Sequence, residues 1–124
     1  IKTRHGKRVR CPDIYCYHPL SWEDVSLRVE IKTHEKIRPD QFRIECEVFE
    51  DYLYLQRIEE IETRVIFFVL PTGERCWQTL DILDRHKNYT KQKVQDKEIH
   101  FYYWDSDVLN EYTNPNDFFY DVQY

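Results

Sequence analysis

Three aspartates near the carboxyl end have the residue type and spacing best suited to chemistry. Asp105 and Asp107 stand two apart in Trp104-Asp105-Ser106-Asp107, directly after an alternating apolar segment, and Asp117 follows in Asn116-Asp117-Phe118. Carboxylates gathered where a strand ends at a loop mouth suit a hard, oxygen-seeking cation such as calcium. Cys11 and Cys16, with His18 close behind, fall within the spacings that zinc sites use. A strong zinc reading needs a second ligand pair of similar spacing, whereas Cys46 falls on the apparent core face of a strand and Cys76 stands isolated after the turn. Cys46 and Cys76 read better as small buried hydrophobes, and Cys11 and Cys16 as lightly packed thiols. The expectation is therefore no cofactor, with calcium at the aspartates and zinc at Cys11, Cys16 and His18 as alternatives.

Reaction chemistry does not assemble from the remaining residues. Histidines stand at positions 5, 18, 34, 86 and 100, none in the frame of a nucleophile elbow or a metalloprotease pair. Gly6 and Gly73 are the only glycines, so a glycine-rich phosphate loop is excluded. Glu59, Glu60 and Glu62 read as a solvated turn between strands. These absences point to a protein that is not an enzyme.

Charge is unevenly spread along a chain of net charge −5. Lys2, Arg4, Lys7, Arg8 and Arg10 make a basic amino-terminal arm over residues 1–10, which reads as a flexible end and as the one segment able to neutralise phosphates. The acidic total argues against nucleic acid as a partner of the domain body. Aromatic residues are abundant, with ten tyrosines, seven phenylalanines and three tryptophans. Aromatic rings with a polar handle favour interfaces, and Phe101, Tyr102, Tyr103 and Trp104, together with Phe118, Phe119 and Tyr120, are the expected partner-binding surface.

These residues need elements to position them. At 124 residues, with 41% hydrophobic positions and no repeat or linker, the chain reads as one domain spanning 1–124. It contains no methionine, as expected of an excised domain or processed product. Val25, Leu27, Val29 and Ile31 alternate with polar residues, predicting a strand with one buried face. Phe42, Ile44, Cys46 and Val48 predict a second, and the stretch from Tyr52 to Ile58 continues the pattern. Val65 to Leu70 is apolar on both faces and reads as a central strand. Pro71-Thr72-Gly73 turns it into a hairpin with Arg75 to Thr79. Leu80 to Leu83 suggests a short helical turn, Lys91 to Glu98 a short helix, and Ile99, Phe101 and Tyr103 another strand. The longest apolar run, Val65 to Leu70, is too short to cross a bilayer as a helix.

Two resemblances to known families follow from these segments. Trp104-Asp105-Ser106-Asp107 with Asn116-Asp117-Phe118 resembles the third calcium loop of C2 domains, and Leu70-Pro71-Thr72-Gly73-Glu74 is similar to a C2 strand ending. The resemblance covers Ile99 to Phe118 and implies calcium and phospholipid binding, with Asp40 as the one candidate from an earlier loop. Arg64 to Thr79 resembles the strand pair of chromo and chromo shadow domains, and Ile99-His100-Phe101-Tyr102 is similar to the end of their closing helix. That likeness implies a peptide reader in a nucleic-acid-associated complex. Its spacing differs by several residues, so no binding residue carries over.

The expected fold is mainly β, a sandwich or partly open barrel of about six or seven strands with one short helix. The expected function is a protein-interaction module that captures a protein or peptide through a sheet edge and aromatic surface. An intracellular, reduced setting is favoured. The alternative is a secreted, disulfide-bonded chain, consistent with four cysteines and the acceptor triplet Asn88-Tyr89-Thr90.

Overall fold

A computed structural model describes residues 3–12, 14–18, 21–35 and 42–112. The chain opens with a two-stranded ribbon, β1 (Thr3–Arg4) and β2 (Lys7–Arg8), joined by His5-Gly6. Both turn residues have positive φ, at 53° and 74°, the geometry that tight hairpins use to match strand twist. Then come β3 (Ile14–His18), the long β4 (Ser21–His34), the short β5 (Arg43–Glu45) and helix α1 (Cys46–Glu59). They are followed by β6 (Thr63–Val69), β7 (Glu74–Thr79), α2 (Leu80–His86), the hairpin β8 (Asn88–Val94) and β9 (Lys97–Tyr103), a 3-10 turn over Ser106–Val108, and β10 (Asn110–Glu111).

The main sheet has the order β10-β7-β6-β4-β3, and a smaller one has the order β5-β9-β8. The protein is mainly β, as the sequence predicts, and no sheet closes into a barrel. One connection departs from an all-antiparallel plan. β4 and β6 run parallel, with Glu30 beside Val65 and Lys32 beside Phe67. Parallel neighbours need a long crossover, usually helical, and α1 supplies it.

Helix α1 replaces the two strands that the sequence predicts beyond Glu45. The alternation stops at Ile44, and Val48, Phe49, Tyr52 and Leu55 then fall on one helical face and are buried. They meet Val65, Phe67 and Val69 of β6, Leu80 and Leu83 of α2, Phe42, Ile44 and Trp104 in one core. Leu27, Val29, Ile66 and Trp77 form a second cluster on the other face of the main sheet. The helix begins without a side-chain cap and ends on Glu60 at a φ of 56°, whose N–H donates to the Gln56 carbonyl.

The helix predicted over Lys91 to Glu98 is instead the hairpin of β8 and β9. Gln95 and Asp96 both have positive φ and form its two-residue turn, with Val94 opposite Lys97. The Leu80 turn is present as α2, with Thr79 Oγ1 accepting from the Ile82 N–H at 3.4 Å. The Val69 hairpin also forms where Pro71-Thr72-Gly73 predicts it, with Gly73 at a φ of 71°. Among the described residues, no helix is long and apolar enough to cross a membrane.

Candidate functional site

Strand β4 carries a row of charges that the sequence assigns to a solvated face. Arg28, Glu30 and Lys32 alternate with Leu27, Val29 and Ile31 and share a face with Val65 and Phe67 of β6. Helix α1 lies over that face. Arg28 is 5% exposed and Glu30 4%, so this strand is buried on both sides over its central residues.

The helix provides partners for the row. The Tyr52 hydroxyl donates to Glu30 Oε2 at 2.6 Å. Lys32 Nζ reaches the same oxygen at 3.1 Å, and lies 5.9 Å from the centre of the Tyr52 ring. Further along α1, Glu59 pairs with Arg28. The Glu30 side chain is 6% exposed and that of Lys32 27%, so the ammonium is the solvent-facing end of the pair.

Removing a carboxylate from water costs several kcal/mol unless it is paired and hydrogen-bonded. A buried ion pair is a weak source of stability compared with apolar residues of the same volume. Glu30 is therefore costly at a buried position beside β6, where Val, Ile or Leu would pack well. Chemically, the pair offers a carboxylate that binds a cation or accepts a proton, an ammonium that balances negative charge, and a phenol fixing the carboxylate.

The sequence-predicted cation loop falls only in part within the described residues. Asp105 precedes the 3-10 turn and Asp107 lies within it, both exposed, while Asp117 and Asp40 lie outside the described residues. Among the described residues, no three His, Cys, Asp or Glu side chains are gathered as a metal cage. Cys11 is exposed, and Cys16 and His18 stand on β3 with side chains outside the described set. Ile99 to Tyr102, which the chromo-like reading makes the end of a helix, lies in β9.

The predicted aromatic surface divides. Trp104 is 2% exposed. Its indole N–H donates to the Leu83 carbonyl at 2.8 Å, and its ring lies 5.4 Å from Phe49 and 6.0 Å from Phe67. It is a core residue. Tyr102 faces the same way, edge-on to Phe49, with its hydroxyl donating to Glu50 at 2.9 Å. Burial raises the Tyr102 pKa, and the bond to Glu50 and its charge add to the rise. Phe101 and Tyr103 fall on the outer face of the small sheet and are half-buried, with the Arg43 guanidinium 4.3 Å over the Phe101 ring. Phe118, Phe119 and Tyr120 lie outside the described residues.

Cys11, Cys46 and Cys76 are free thiols. Burial pushes the Cys76 thiol up to about 12, with Glu74 adding to the effect, and burial followed by Glu50 raises Cys46. Glu59 and Glu62, read as parts of a solvated turn, each hold an arginine: Glu59 pairs with Arg28, and Glu62 with Arg64 at 2.8 Å. Of the basic arm, Arg4 belongs to β1, Lys7 and Arg8 to β2, and Lys2 lies outside the described residues. Val9 is 4% exposed, and the Arg10 N–H donates to Asp51 at 3.1 Å.

The charged row of β4 is what the sequence reasoning missed. Its signal was both signs of charge at alternate positions inside a strand, followed by a helix-forming stretch and a strand apolar on both faces. Comparison with protein-family models, curated proteins and solved structures finds no match to this chain.

Proposed function

We propose that this chain is a divalent-cation-dependent phosphodiester hydrolase whose site centres on Glu30 and Lys32. The observation that carries this reading is the buried Glu30 carboxylate, held by Tyr52 of α1 and paired with the half-buried Lys32 on the strand where the parallel crossover begins. Ionisable groups held buried beside a specific charge partner concentrate at functional sites. Magnesium is commonly held by one or two carboxylates plus the phosphates of its substrate, so a complete protein cage is not required. A cation on Glu30 would polarise a phosphoryl oxygen and activate water. Lys32 would balance the charge that develops on the phosphate in the transition state. Asp13 stands one residue before β3, whose Ile14 pairs with Val29, the neighbour of Glu30. It lies outside the described residues, and its substitution belongs to the test.

The test is cleavage of a panel of supercoiled plasmid, linear duplex, single-stranded DNA and RNA with magnesium or manganese. The wild-type chain should cleave at least one of these and stop on addition of EDTA. Glu30→Gln, Lys32→Ala and Asp13→Asn should each lower the rate by 100-fold or more while retaining the far-UV spectrum. No cleavage across the panel, or cleavage unchanged in Glu30→Gln and Lys32→Ala, overturns the assignment.

A second reading rests on the outer face of the small sheet. There Phe101 and Tyr103 are partly exposed on the sheet in which β8 is an edge strand among the described residues, features that suit capture of a protein or peptide. Phe101→Ala abolishing recovery of a defined partner, with cleavage absent, would favour that reading. The free thiols support a reducing, intracellular setting for either.

A further inference from the structure

The basic ribbon β1–β2 opens the chain ahead of β3. His5, Lys7, Arg8 and Arg10 are exposed, and they line a groove of about 410 Å³ whose other side is Glu47 and Asp51 of α1. The ribbon is anchored where it meets the body. Val9 is buried, the Arg10 N–H bonds Asp51, and Arg10 Nη1 stands 3.9 Å from Glu45. Asp51 adjoins Tyr52 on α1, and Tyr52 holds Glu30. A cationic ribbon is thus fixed to the helix that covers the Glu30–Lys32 pair.

Charge complementarity identifies the occupant. Every ionised side chain in the first ten residues is cationic, in a chain whose net charge is −5. The acids on the α1 side of the groove repel an anion, so a polyanion is admitted only along the ribbon. Lys7 and Arg8 are consecutive exposed cations of β2, and each can neutralise a phosphate of a nucleic-acid backbone. We propose that the β1–β2 ribbon is a phosphate-gripping arm that holds a nucleic-acid strand for the Glu30–Lys32 site. This inference rests on the hydrolase reading for its substrate but is tested without the chemistry.

Binding of a fluorescein-labelled DNA oligonucleotide, duplex and single-stranded, is measured by anisotropy in EDTA between 50 and 200 mM salt. Lys7→Ala with Arg8→Ala removes two exposed cations of the ribbon. The slope of log K against log salt should become shallower by roughly 1.8 for duplex DNA, about 0.9 for each phosphate no longer neutralised. Affinity at the low-salt end should fall by about tenfold or more, with the melting temperature unchanged. An unchanged slope and affinity, no wild-type binding at 50 mM salt, or equal competition by poly-glutamate overturns the proposal. Arm-dependent binding without cleavage by wild type leaves the arm standing and removes the hydrolase. Cleavage with an unchanged KM in the double variant removes the arm and leaves the hydrolase.

Discussion

Replacing Trp104 distinguishes a core role from a surface role, because the two assign opposite outcomes to the same substitution. Its side chain is nearly inaccessible, and it touches both the helix that crosses from β4 to β6 and the strand at the end of that crossover, through Phe49 and Phe67. Trp104→Ala therefore removes a large buried ring from a site bounded by several elements. Such truncations cost about 3–5 kcal/mol, a large share of the 5–15 kcal/mol, roughly, that keeps a domain folded. Trp104→Phe keeps much of the ring contact but removes the donor to Leu83. That carbonyl is one of the last four of α2, which lack intrahelical donors. Leaving a buried acceptor unpaired costs about 1–3 kcal/mol. Urea unfolding followed by far-UV circular dichroism reads both variants. With a slope near 2 kcal/mol per molar urea, the alanine midpoint should fall by about 2 M and the phenylalanine midpoint by about 1 M. An alanine cost below about 1 kcal/mol, with the native spectrum retained, refutes the core placement. Loss of a partner in Trp104→Ala would be confounded by this lost stability, so tests of the aromatic surface belong at Phe101.

Tyr52→Phe removes the hydroxyl that holds Glu30. It should cost about 1.5–3 kcal/mol, the range for a hydrogen bond to a charged group, as measured by the same urea titration. A cost near zero would mean that the Tyr52 hydroxyl does not sustain the carboxylate. Cys76 should resist alkylation while Cys11 reacts, read by mass spectrometry after a short iodoacetamide pulse, and fast labelling of Cys76 would contradict its burial. Because burial raises the Cys76 thiol from 9.0 to about 12, the unfolded chain releases this proton first as pH rises. The Cys76 contribution to stability is complete below about pH 9 and lost between there and about 12. Cys76→Ala should lessen the alkaline loss of stability in that window, and an unchanged pH profile would refute the contribution.

Much of the fold was legible in local patterns. Strands β6 and β9 and the turn at Pro71-Thr72-Gly73 follow from apolar runs and turn residues, because those signals are local. Helix α1 was hidden because Phe42 and Ile44 alternate into Cys46 and Val48, and a period of two carries on until Phe49 breaks it. Val48, Tyr52 and Leu55 had helical spacing all along. The β8–β9 hairpin was obscured because Gln95-Asp96 is not a glycine turn, while the lysines and glutamines around it favour helix. Arg28 and Glu30 were misread for a different reason. Alternation shows which residues share a face of a strand, but whether water or a helix covers that face is decided by a crossover later in the chain.

The parallel pairing of β4 with β6 also bears on how the protein reaches its native state. A hairpin such as β8–β9 pairs across a two-residue turn, whereas β4 waits for the whole of α1 before its partner arrives, and such non-local pairing slows folding. Until then, Arg28, Glu30 and Lys32 remain hydrated, and the cost of their desolvation falls at the step that docks the helix. The residues that make up the candidate site are thus set against the assembly of the chain, and substitutions that neutralise them are expected to speed that docking.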